Sequence, residues 1–149
     1  MRYQYSSSGF KQNFNSNPLS IPNGVKTLLI MNVIAFILIE ISGQRNIMFQ
    51  IFGLISQSVI HEYKIWQIFT YLFVHGGLLH ILFNMFVLWM FGKDLEIEWG
   101  RNNFLIFYFI CGIGSGITTV LINMNSFIPV VGASGAIYGV LLAYGLTYP

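Results

Sequence analysis

Charge is what this sequence has least of. Only 8% of its 149 residues are Asp, Glu, Lys or Arg, where a soluble domain carries about 25%. Seven cations stand against five anions, so there is no basic stripe to hold a phosphate backbone, and nucleic acid is not expected as a partner. Cysteine occurs once, at Cys111 inside an apolar run. That rules out an intrachain disulfide and leaves a small packing residue. Histidine occurs three times, in no zinc pattern. His75 and His80 are five apart, and Ile65 stands where H-E-x-x-H would need a second histidine after His61-Glu62. No metal and no cofactor are expected. What is abundant is apolar: 55% of residues are hydrophobic and 17% aromatic, and mean hydropathy is +0.67. Such a chain belongs in a membrane.

Residues 1–24 mix Ser, Asn, Gln and Tyr with Pro18 and Pro22, a composition that buries too little apolar surface to offset the entropy of ordering. A flexible tail is expected there. Arg2, Lys11 and Lys26 come early, and no acid precedes Glu40, which by the positive-inside rule places the N-terminus in the cytoplasm. Residues 25–41 form a first span, about 25 Å long as a helix. A secretory signal peptide is the rival reading, disfavoured because the run starts late and lacks a small-residue cleavage site. Residues 42–74 are aromatic-rich but interrupted by polar groups, as in a segment lying in the interface. Trp66, Tyr63 and Tyr71 suit the headgroup level there. A second span covers 78–91, and residues 92–102, with Lys93, Asp94, Glu96, Glu98 and Arg101, read as a short charged loop. A third span covers 104–122, carrying Gly112 and Gly116 at a spacing that lets helices approach closely. Residues 123–131 are uncharged, and a fourth apolar segment runs over 134–148. The fold class is therefore all-α, a polytopic membrane helix bundle. Its topology puts residues 42–74 outside, 92–102 inside, and the turn at Ser134 within reach of the outer side.

Two groups of residues could carry chemistry. In VVGASGAIYGVLLAY, over residues 130–144, Ser134 stands between glycines at the start of an apolar helix, whose free N–H groups and dipole favour a nearby negative charge. A tetrahedral oxyanion could use them. The competing reading makes Gly132, Gly135 and Gly139 close-packing positions. The G-x-S-x-G elbow of soluble hydrolases is absent, because position 136 is Ala136. In HGGLLHILFN, His80 and Asn84 are four apart and share one face of the second span. Polar groups at membrane depth need partners or a wet cavity, which makes them functional candidates. The alternatives are a helix-packing His80 and an interfacial His75.

Taken together, Trp66, His75, His80, Asn84, Glu96, the run Gly132-Ala133-Ser134-Gly135 and Tyr138 resemble the rhomboid family of intramembrane serine proteases, in residue type and spacing. The likeness covers residues 25–149. It implies that four of six spans are represented, that Ser134 is the nucleophile, and that His80 and Asn84, with the Ser134 N–H, stabilise the oxyanion. It also implies that Tyr138 stacks against the catalytic histidine, while His75, Trp66 and Glu96 brace the interfacial loop and the turn after the second span. Substrates would be transmembrane proteins in the bilayer. Gln67 departs from the family, many of whose members have arginine after the loop tryptophan. The family's base is a histidine on the sixth span, which a four-span chain does not hold. The 149 residues are thus expected to be the N-terminal part of a protease and inert alone, with packing faces such as the Gly135 and Gly139 side exposed. The alternative is a non-catalytic rhomboid-like protein that binds membrane clients; a blander reading is a helix-packing protein of unrelated function. The N-terminal composition, unlike a transit peptide, points to a bacterial inner membrane.

Overall fold

The computed structural model describes residues 20–149. Of the tail expected over residues 1–24, residues 1–19 lie outside the described residues, and Asn23 and Gly24 already belong to the first helix. That helix, α1 (Asn23–Ser42), begins after Pro22, whose carbonyl accepts from the Lys26 N–H at 2.9 Å. No local side chain caps it. Instead the Gly24 and Val25 N–H groups donate to the two carboxylate oxygens of Glu96, at 2.7 and 2.6 Å. An anion at a helix N-terminus answers both the orphan donors and the dipole. Gly43, in the left-handed region at φ 64°, ends the helix.

Short helices follow: α2 (Arg45–Phe52), α3 (Ser56–His61) and α4 (Gln67–Thr70), the last running into a 3-10 turn, Tyr71–Phe73. The next span begins as α5 (Leu78–Val87), widens through a π turn over Leu88–Gly92, and continues as α6 (Lys93–Trp99). The charged stretch is therefore helix, not the expected loop. Leu95 is wholly buried and Glu96 nearly so, and the Lys93 ammonium lies 5.6 Å from the centre of the Trp89 ring, so the helix is held past its last apolar turn. It breaks only at Gly100, φ 80°. Then come α7 (Arg101–Ile122) and α8 (Ser134–Thr147).

Among the described residues three helices, Asn23–Ser42, Leu78–Trp99 and Arg101–Ile122, are long and apolar enough to cross a membrane, and the protein is an integral membrane protein of the all-α class. At 14 residues, α8 reaches only about 21 Å, less than the hydrocarbon core of about 30 Å.

The core lies where α1, the π turn, α7 and α8 meet: Val25, Leu28, Leu88, Phe104, Tyr108, Ala136 and Val140 are almost fully buried. Lipid gives no hydrophobic drive between spans, so close fit must hold them. A Cβ on Gly112 would sit 2.8 Å from Leu72 and 3.3 Å from Ala136, and one on Gly116 3.0 Å from Tyr71. Gly135 meets Ser115 and Gly139 meets Cys111 in the same way. This corrects the expectation that the Gly135 and Gly139 side is exposed: it is the face α8 packs on α7. The open face of α8 carries Tyr138, Leu142 and Leu146 instead. Tyr71, expected at the headgroup level, is 3% exposed, and its hydroxyl donates to the Gly112 carbonyl at 2.6 Å.

Candidate active site

The packing of α8 sets the depth of Ser134. Gly135 is opposite Ser115 and Gly139 opposite Cys111, so the two helices are antiparallel, and Ser115 lies seven residues before the end of α7 at Ile122. Ser134 therefore sits about 10 Å below that end. The shortness of α8 follows, because it starts inside the layer its neighbours cross.

The connection that descends to Ser134 is held by the segment after α1. Leu54 and Val130 exchange both backbone hydrogen bonds at 2.9 Å, the Gln57 N–H donates to the Ser126 carbonyl at 3.1 Å, and the Gly132 N–H donates to the Tyr71 carbonyl at 2.9 Å. That segment is itself pinned by α4. The Trp66 indole N–H donates to the Ile51 carbonyl at 2.9 Å, and Thr70 donates to Phe52 at 2.7 Å. Buried Gln67 accepts from the Ile55 N–H at 3.0 Å and donates to the Gln50 carbonyl at 2.9 Å. Trp66 thus ties α4 to the end of α2. Gln67 and Tyr71 were not singled out for this. Nothing in the sequence but their place beside Trp66 and before His75 would have marked them.

Gly132 is the point on which the polar groups converge. Its φ of +118° suits glycine, and an added Cβ would lie 2.7 Å from His80 Nε2 and 3.7 Å from Asn84 Nδ2. The Gly76 N–H donates to His80 Nδ1 at 3.4 Å, which assigns the ring proton to Nε2 and makes that nitrogen a donor. Asn84, 3% exposed, leaves its Nδ2 without a partner among the described residues. A buried amide without a partner costs stability and points to an acceptor that arrives later. Two N–H donors thus lie beside Gly132, two residues before Ser134 at the N-terminus of α8. This arrangement can stabilise a negative oxygen.

His75 is fully buried, its ring 5.1 Å from that of His80 and edge-on to it. Neither ring nitrogen has a partner among the described residues. Burial, helped by neighbouring His80, pushes its pKa down to about 4, so the ring is a neutral packing piece behind the site. Glu96 lies at the other end of the bundle and braces α1 rather than its own turn alone. Tyr138 is 73% exposed on the open face of α8, one turn beyond Ser134. No described residue stands as a base for Ser134: His80 carries its proton at Nε2, His75 is enclosed, and His61 is exposed in α3. No group of His, Cys, Asp and Glu is arranged to hold a metal among the described residues.

A family model described as the rhomboid domain matches residues 62–149. Rhomboid protease GluP of Bacillus subtilis (strain 168) is 31% identical over 122 residues, covering 80% of this chain and 24% of that protein. RHOMBOID-like protein 1 of Arabidopsis thaliana is 37% identical over 83 residues, 56% of this chain and 21% of its own length. The chloroplastic rhomboid-like protein 11 of the same plant is 29% identical over 126 residues, 84% and 42% respectively. The chain thus spans from about a fifth to two fifths of these relatives.

Proposed function

This chain belongs to the rhomboid family, and from that premise we propose that it is the serine-bearing part of an intramembrane endopeptidase that cleaves transmembrane protein substrates through a Ser-His dyad. The observation that carries the reading is the convergence of His80 Nε2 and Asn84 Nδ2 on Gly132, two residues before Ser134. Ser134 Oγ attacks the substrate carbonyl. The oxygen that gains charge is held by His80, Asn84 and the Ser134 N–H, with the α8 dipole behind them. The proton of Oγ passes to a histidine that these 149 residues do not contain, and Tyr138, open on α8, is the surface against which that ring stacks. Without a base a serine is a weak nucleophile, so the chain by itself is inert. The substrate helix unwinds before cleavage, because helical backbone in lipid is fully hydrogen-bonded and closed to attack.

The cation bias supports a cytoplasmic N-terminus and a site opening toward the opposite side. A bacterial inner membrane is the proposed location, supported by the likeness to the Bacillus protease over 80% of the chain; the chloroplastic relative makes an organellar membrane the competing one. The test uses the complete protein in liposomes with a single-span substrate. Ser134→Ala should abolish cleavage and labelling by a fluorophosphonate while thermal unfolding is unchanged. Cleavage near the wild-type rate would overturn the assignment.

A further inference from the structure

Outside the site, a cleft of about 400 Å³ lies between α1, α2 and the turn before His75, lined by Ala35, Leu38, Ile39, Met48, Phe52 and Phe73. Thr70 and Val74 complete its lining. Its size falls in the range of ligand sites, about 300 to 1,000 Å³. The walls offer nothing to water. Thr70, the one polar side chain there, already donates to the Phe52 carbonyl, and water needs two or more polar partners to occupy a cavity. Left empty, the lining would forfeit its dispersion contacts. The cleft also opens to the hydrocarbon side: Leu38 at its rim is 63% exposed, and Ile34, Ile37 and Ile41 continue the apolar surface of the span.

Arg45, at the start of α2 and outside the lining, is the cation on the helix that walls the cleft. Arg45 lies three and seven residues before Met48 and Phe52, hence on the same face of α2. Its guanidinium pairs with Glu40 and lies 5.9 Å from the Phe49 ring. The guanidinium carries five N–H donors in all, enough to serve a second anion beside Glu40. We infer that the cleft is a phospholipid site: one acyl chain fills the apolar trough and the headgroup phosphate is bound by Arg45. The chain then lies against Phe73 and Val74, next to His75 and to the turn whose Tyr71 carbonyl holds Gly132. The site rests on the membrane location and not on the proteolytic reading.

The experiment reconstitutes the protein in vesicles of phosphatidylethanolamine and phosphatidylglycerol doped with a phospholipid bearing a diazirine in its acyl chain, and maps the cross-links by mass spectrometry. Cross-links should concentrate on residues 35–39 and 48–52, above those on the lipid-facing Ile106 and Ile110 of α7, and should saturate as doping rises. Ala35→Trp fills the trough and should bring them down to the α7 level. Arg45→Ala, at the outer end and outside the packed core, should weaken labelling about tenfold, as loss of a charge-assisted hydrogen bond does. That second variant keeps the inference falsifiable if Ala35→Trp does not fold. Labelling spread evenly over all spans, or unmoved by Arg45→Ala, would overturn it. So would a second copy of the chain or another protein covering the cleft, seen as peptide-to-peptide links when Leu38 is replaced by photo-leucine.

Discussion

At the scale of single residues, the proposed function assigns chemistry to Asn84 and packing to His75. Asn84 Nδ2 has no partner among the described residues, and the proposed role is that it donates to the transition state. In the complete protein, Asn84→Ala should lower kcat about a hundredfold to a thousandfold with KM little changed, measured on a fluorogenic membrane substrate. An equal rise in KM would instead make Asn84 a substrate-binding group. His75 acts through packing, and its effect is on stability. Its pKa in the folded protein is about 4 against 6.5 in the open chain. The unfolded chain therefore takes up the proton first. The contribution of His75 is complete above about pH 6.5 and is lost as pH falls toward 4, with a slope of at most about 1.4 kcal/mol per pH unit. Thermal unfolding in detergent should show this loss, and His75→Gln should flatten it. The candidate residues Ser134, His80 and Asn84 and the close-packing glycines were legible in the sequence, because motif and spacing single them out. Which way Gly135 and Gly139 face was not, since that depends on the register of α8 against α7.

Among the elements, the segment from α2 to the turn at Tyr71–Phe73 is a clamp more than an anchor. Composition identified it as interfacial from its aromatic rings, yet its structural role rests on backbone hydrogen bonds that composition cannot reveal. Leu54 and Val130 pair across 76 positions, and no propensity encodes a partner so distant. Gln67 read as a departure from the family, but its neutral amide ties α4 to both Ile55 and Gln50. Gln67→Ala would leave the buried Ile55 N–H without its partner, at about 1 to 3 kcal/mol. Unfolding in mixed micelles should register that loss, and faster amide exchange at Leu54 and Val130 should accompany it. The charged stretch after the second span was misread because charge suggested a loop, whereas the helix persists to Gly100, where φ is 80°.

For the whole molecule, the bundle is held by fit between small residues. A Cβ on Gly139 would overlap Cys111, its own Cβ only 2.7 Å away, so Gly139→Ala should separate α7 from α8 and cost about 1 to 3 kcal/mol. Cys111→Gly in the same chain should restore much of it, and a double-mutant cycle in detergent would measure the coupling. The class of fold was legible because hydropathy alone delimits spans, and the depth of Ser134 was not, because it follows from how two helices are offset. The carboxylate of Glu96 reaches back 72 positions to the start of α1, and this has a consequence in time. During synthesis, at about 5 to 20 residues per second, the first span waits several seconds in the bilayer before the group that fastens its end exists. Until then it can tilt and turn as a lone helix. A ribosome halted before Glu96 leaves it loose, so the order of translation decides when the first helix can lock to the second.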